Sequence, residues 1–118
     1  MSAPAPAPAI ETVDDHLVYR ALERGGDVLL LITSPFCGAC KATRRAIAGL
    51  PAGVVDRILD ADAGASPGLV ADLEVFHLPA LFLFRDGAFH RPIEAPPQIA
   101  ALVAAIENAK AAPASEPP

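Results

Sequence analysis

The stretch Val28-Leu29-Leu30-Leu31-Ile32-Thr33-Ser34-Pro35-Phe36-Cys37-Gly38-Ala39-Cys40-Lys41 decides the fold of this chain. Its five leading apolar residues form an unbroken run, the pattern of a central strand covered on both faces. From Cys37 to about Leu50 the spacing turns helical. Cys40, Thr43, Ile47 and Leu50 fall on one face, and Lys41, Arg44, Arg45 and Ala48 fall on another. A buried strand therefore delivers the chain's two cysteines to the start of a helix. Free N–H groups in a first helical turn favour a thiolate over a thiol, and the thiolate is the species that attacks disulfides. The spacing lets the second sulfur reach the first across one turn, so the pair can pass between dithiol and disulfide with little backbone movement. The helix face makes Cys40 the inward sulfur and Cys37 the exposed one. Lys41, Arg44 and Arg45 add positive potential, weak where they are solvated.

Other uses of the pair explain less. A disulfide closing so short a loop constrains little of the unfolded chain. A structural zinc normally takes four ligands, and His16, His77 and His90 are too scattered to complete a set with the two cysteines, so no metal is expected. Haem attachment needs a histidine after the second cysteine, where Lys41 stands. Two inert, buried cysteines remain an alternative. Redox chemistry is the reading that uses the strand–CxxC–helix context.

Composition bounds the rest. At 118 residues the chain reads as one domain with room for a layered core. Apolar residues make up 53% and charged residues 19%, as in a compact globule. The net charge of −5 and the lack of a basic run with interleaved aromatics argue against nucleic acid as the partner. Apolar runs such as Ile99–Ile106 are far shorter than the roughly 20 residues of a membrane span. No basic patch followed by an apolar core opens the chain, so a cytoplasmic location is expected. In that reducing compartment a lone CxxC is more often catalytic than structural.

Outward from the central stretch, Met1 to Ala9 alternates Ala and Pro and reads as an extended, disordered tail; Ala111 to Pro118 reads the same way. The domain spans Ile10 to Lys110. Ile10 to Val13 is a short first strand. Asp14 or Asp15 caps a helix with Leu17, Val18, Ala21 and Leu22 on its apolar face, ending at Gly25-Gly26. Asp27 to Thr33 is the central strand, and Val54 to Leu59 is the next one, leading into Asp60-Ala61-Asp62. Those acids read as turn formers or caps more readily than as tuners of a site. A helix from Ser66 or Pro67 to Leu73 follows. A strand then begins at or just after Pro79, turns at Asp86-Gly87 and returns through Ala88 to Ile93. Pro96-Pro97 opens a last helix with Ile99, Leu102, Val103 and Ile106 in an i, i+3, i+4, i+7 stripe. The order β-α-β-α-β-α-β-β-α implies parallel helix-linked strands with an antiparallel edge.

This order, with CxxC after the second strand, resembles the thioredoxin family over nearly all of Ile10 to Lys110. Phe36-Cys37-Gly38-Ala39-Cys40-Lys41 is close to the family's W-C-G-P-C-K. Val75-Phe76-His77-Leu78-Pro79-Ala80-Leu81-Phe82-Leu83-Phe84-Arg85-Asp86-Gly87 is close to its V-x-x-I/V-P-T-x-x-x-F-x-x-G. The resemblance implies a three-layer α/β/α thioredoxin fold, with a central mixed sheet of four to five strands and about four helices. It implies a thiol–disulfide oxidoreductase with Cys37 as nucleophile and Cys40 as resolving thiol, needing no cofactor. It places Pro79 against the CxxC with a cis Leu78–Pro79 bond, and assigns Phe36, Gly38, Ala39, His77, Leu78 and Pro79 to substrate binding. The Leu78 backbone is then free to bond an extended client segment. The implied partners are protein disulfides and a thiol reductant or reductase, met by a monomer. His77 reads equally as a stabiliser of the Cys37 thiolate, a ligand for a client carboxylate, or a solvated rim residue.

The chain departs from that family at informative positions. The family's buried Asp, six residues before the first cysteine, relays protons for the second; Leu31 stands there. No Lys lies near that Asp's partner position, which falls around Ile58. Phe36 and Thr33 replace the two Trp residues beside the motif, Ala39 its inner proline, and Arg45 the proline that bends the helix. The family's docking glycine has no counterpart in Ile93-Glu94-Ala95-Pro96-Pro97. These departures imply slower deprotonation of Cys40, a less reducing potential and poor docking to a standard thioredoxin reductase. They also sustain a rival reading: a binding, chaperone or redox-sensing module on the same fold.

Overall fold

The computed structural model describes residues 8–118. Its elements are β1 (Ile10–Val13), α1 (Val18–Glu23), β2 (Asp27–Thr33), α2 (Gly38–Ala48), β3 (Arg57–Asp62), α3 (Pro67–Asp72), β4 (Ala80–Arg85), β5 (Ala88–Ile93) and α4 (Ile99–Ala111). The strands form one sheet in the order β1-β3-β2-β4-β5. β3 runs parallel to both β1 and β2, while β4 is antiparallel to β2 and to β5. This is the expected mixed five-stranded sheet with four helices, the thioredoxin fold.

Alternation along β2 builds the two halves of the core. Leu29 and Leu31 point to one face, into a cluster with Ile47 and Leu50 at the α2 side and Leu102 and Ile106 of α4. Val28, Leu30 and Ile32 point to the other, with Val18 and Leu22 of α1 and Leu69 of α3. All five are fully buried, which is why the run carries no polar residue. Ser34 and Pro35 end the strand, so α2 starts at the carboxyl end of the most central strand. The site is fixed there by the rigid middle of the sheet.

The first helix is shorter than expected, and its capping differs. Asp14 Oδ1 accepts from the His16 and Leu17 N–H groups and makes a turn ahead of α1, leaving Leu17 exposed. Asp15 caps another helix: its carboxylate accepts from the Gly68 and Leu69 N–H groups at 2.9 and 2.7 Å. These are the second and third residues of α3, whose own Ser66 makes no side-chain cap. Asp15→Ala should therefore cost about 1 kcal/mol, as loss of an N-cap does. Urea unfolding checks it, and native stability in the variant would remove this role.

Two further expectations change. Val54 and Val55 are buried, but they precede the strand, which begins at Arg57. Asp56 is the reason, because its N–H bonds to the Asp27 carbonyl and its carboxylate to the Asp27 N–H. The strand instead runs on through Asp60, Ala61 and Asp62. At the carboxyl end the expected free tail is tied down. Ser115 N–H donates to the His90 carbonyl at 2.8 Å, and Arg91 Nε donates to the Pro113 carbonyl at 2.7 Å. The segment thereby satisfies groups of the edge strand β5. The amino-terminal tail lies outside the described residues up to residue 7.

The β4–β5 hairpin turns at Asp86 and Gly87 with φ of 50° and 83°, the left-handed pair a tight two-residue turn needs. A bulge after Leu83 leaves His90 as the extra residue on β5. Its ring is buried, with Nε2 2.7 Å from the Ala109 carbonyl of α4. Among the described residues no helix is long and apolar enough to cross a membrane.

Candidate active site

Cys37 has extended backbone angles and is the N-cap of α2, so it is the last residue before the helix closes. Its Sγ accepts the Cys40 N–H at 3.1 Å. The sulfur thus occupies the position a capping oxygen would take, at the positive end of the helix. Cys37 is partly exposed and Cys40 fully buried behind it. Both thiols are free. The Leu78 carbonyl approaches Cys37 Sγ at 3.9 Å from the segment before β4, and the Leu78–Pro79 peptide bond is cis.

The two sulfurs have opposite electrostatics. The Cys37 thiol is held below its usual range, first by a hydrogen bond from the Cys40 thiol, then by the Cys40 and Ala39 N–H groups and the Arg44 charge; partial burial works against them. Burial pushes the Cys40 thiol up, and its bond to Cys37 pushes the same way, opposed by the Ser34 N–H and by Arg44. Cys37 thus ionises first. Its alkylation rate should rise with pH and level off below the ordinary thiol range of about 8.5. Iodoacetamide kinetics followed by peptide mapping check this, and a Cys37 midpoint at or above that of free cysteine contradicts it.

Beside the sulfurs lies a groove of about 460 Å³, lined by Ala39 and Thr43 of the α2 side, His77 and Pro79 ahead of β4, and Glu94 and Ala95 after β5. Of the residues expected to bind substrate, Ala39, His77 and Pro79 line it. Leu78 presents its carbonyl to Cys37 instead, and Phe36 stands 96% exposed at the tip of α2. A Cβ at Gly38 would meet nothing within 4 Å, so the approach to Cys37 is open there. Phe76, not singled out from sequence, is 90% exposed and also lines the groove. His77 lies on the groove wall, and the charged side chain acting on Cys37 is Arg44.

Sequence reading underrated Arg44 and Asp60. Arg44 Nε donates to Asp60 Oδ2 at 2.7 Å, Arg44 Nη2 donates to Thr33 Oγ1 at 2.7 Å, and Thr33 Oγ1 donates to Asp60 Oδ1 at 2.6 Å. Asp60 is therefore neither a turn former nor a cap. Assigning Arg44 to a different face from Cys40 hid it; the signal against that assignment was spacing, since Arg44 lies four residues after Cys40, a neighbour on the helix surface, and seven after Cys37. Leu31, in contrast, is wholly enclosed in the apolar cluster beneath α2.

Comparison with known proteins identifies the family and the fold. The family model described as Thioredoxin matches residues 10–108. A thioredoxin of Mycolicibacterium smegmatis is 28% identical over 83 residues, 67% of this chain and 74% of that protein. Thioredoxin X, chloroplastic, of Arabidopsis thaliana is 35% identical over 79 residues, 65% of this chain and 43% of that one. A mutant thioredoxin from Halobacterium salinarum superposes with a TM-score of 0.75 at 19% identity, over 98% of this chain and 100% of that chain, a likeness of fold.

Proposed function

The chain belongs to the thioredoxin family of thiol–disulfide oxidoreductases, and from that premise we propose that it reduces protein disulfides through Cys37 and Cys40. The observation that carries this reading is the asymmetry of the pair. An accessible sulfur whose thiolate is favoured sits over a buried sulfur whose thiol is favoured.

The Cys37 thiolate attacks one sulfur of a client disulfide. The client S–S bond breaks, its electron pair leaves on the second client sulfur, and that thiolate takes a proton. Cys40 then loses its proton and attacks Cys37 Sγ. The enzyme–client bond breaks and the client departs fully reduced by two electrons, leaving a Cys37–Cys40 disulfide. An external dithiol resets the enzyme. The client segment lies extended in the groove, bonded to the backbone around Leu78 and flanked by Phe36 and Phe76. A monomer working in a reducing compartment such as the cytoplasm suits this chemistry.

Insulin-disulfide reduction driven by dithiothreitol tests the reading. Native protein should accelerate it, and the acceleration should vanish with Cys37→Ser. No acceleration by the native protein would favour the second reading, a client-binding module. Two exposed phenylalanines, Phe76 on the groove wall and Phe36 at the tip of α2, support that alternative. Client binding that survives loss of both cysteines would select it.

A further inference from the structure

The strand under the cysteines offers them no carboxylate, since Leu31 fills the relevant place with an isobutyl group. A charged group nevertheless stands behind the pair. Cys37 caps α2, and Cys40 and Arg44 follow it by three and seven residues, so Arg44 neighbours Cys40 one turn farther along the helix and lies two turns beyond Cys37. An arginine at such a position ordinarily samples many rotamers in water. Here it is fixed: two of its nitrogens are bonded to Asp60 and Thr33, which come from two different strands and are bonded to each other. Thr33 is buried, and the Asp60 side chain is only 14% exposed. The guanidinium is thereby clamped between the helix and the end of the central strands.

We propose that Arg44 is an electrostatic positioning residue for the Cys37–Cys40 pair, its guanidinium pinned by Asp60 and Thr33 so that a fixed positive charge faces both sulfurs. This deepens the reductase reading and rests on it. When the Cys37–Cys40 disulfide accepts two electrons from an external dithiol, one proton goes to Cys40 and Cys37 keeps the negative charge. A fixed cation stabilises that product over the disulfide and shifts the couple toward the oxidising side. The same charge assists Cys40 when it must lose its proton to resolve a mixed disulfide.

Other ionisable groups surround the pair. Lys41 and Arg45 on α2 are exposed to solvent, Asp62 on β3 bonds the Ala65 N–H, and Glu74 and His77 lie on the groove wall. Arg44 alone among the charged side chains acts on both sulfurs. Asp60 remains paired beneath it, so the cation is partly offset and its effect moderate.

The test compares native protein with Arg44→Met, Arg44→Gln and Arg44→Lys. Glutamine keeps a donor for Asp60 without the charge, so it preserves the readout if the methionine protein fails to fold. Two quantities are measured: the pH midpoint of Cys37 alkylation by iodoacetamide, and the equilibrium of the pair against glutathione above that midpoint. The neutral variants should raise the midpoint by about half to one unit. They should also make the pair threefold to tenfold more reducing, about 15–30 mV. Arg44→Lys should recover most of both shifts. A folded neutral variant with native midpoint and native equilibrium overturns the proposal and leaves Arg44 a structural clamp. Failure of the reductase reading looks different: the native protein would then not accelerate insulin reduction, whatever the midpoint and equilibrium of its pair.

Discussion

Cys37→Ser should bring insulin reduction back to the rate of dithiothreitol alone, whereas Cys40→Ser should accumulate a covalent client adduct on Cys37. Both outcomes follow from the burial difference. Cys37 is the sulfur a protein disulfide can reach, and its thiolate is favoured by the Cys40 thiol and by the first-turn N–H groups. Serine at that place keeps the cap but is far too weakly acidic to attack at neutral pH. Cys40 has no exposed surface and cannot start the reaction on a folded client. Its role is to attack Cys37 Sγ once the mixed disulfide exists, so its loss leaves the first half-reaction intact and removes release. Mass spectrometry of Cys40→Ser mixed with an oxidised client should show one client per protein, linked at Cys37 and cleaved by excess dithiothreitol. A client linked at Cys40 in the Cys37→Ser protein would reverse the assignment of roles.

The order of elements was legible because it rests on strong local signals. A five-residue apolar run between Gly25-Gly26 and Ser34-Pro35 reads as an interior strand, Asp86-Gly87 can form a tight turn, and CxxC at a strand-to-helix junction fits few other uses. The bounds of β1, β2 and β5 were readable for that reason. Apart from the local Asp14 turn that delays α1, the missed features are mostly non-local. Nothing near Asp15 in the sequence says that its carboxylate reaches α3, 53 residues on. The bonds of Asp56 to Asp27, which delay β3 until Arg57, cross 29 residues. The docking of Ser115 on β5 depends on where α4 ends. The site shows the same division. Cys37 and Cys40 announce themselves by spacing, while the Arg44–Asp60–Thr33 triangle exists only because strand pairing brings Asp60 and Thr33 alongside the helix. Phe76 is informative only through its exposure, which an apolar residue in sequence does not disclose.

Leu31→Asp, which installs the residue type the family keeps at this place, should destabilise the protein strongly and in a pH-dependent way. Leu31 is fully buried, with Leu29 and Ile47 in its cluster and Leu81 beside it on β4. Removing its side chain should cost about 2–5 kcal/mol through lost transfer energy and the cavity left behind. The carboxyl adds a second penalty. Leu31 pairs in register with Asp60 on the parallel strand, so the two side chains share a face, and Arg44 is already committed to Asp60. Burial and a neighbouring carboxylate both favour the protonated form, so the folded state holds the new proton to higher pH than the unfolded chain does. Between the unfolded value of about 3.9 and the raised folded value, the unfolded state binds fewer protons, and stability falls by about 1.4 kcal/mol per unit of pH. Above the folded value the loss is complete. A shift of about two to three units removes roughly 3–4 kcal/mol beyond the cavity cost. Total stability in domains of this size is only about 5–15 kcal/mol. Leu31→Asn gives the control, with nearly the same shape and no titration. Urea unfolding at pH 5 and pH 8 should show the Asp protein losing stability relative to the Asn protein as pH rises. Parallel curves would mean that the carboxylate finds a partner in this core, and that a proton relay at position 31 is compatible with the packing that now holds a leucine.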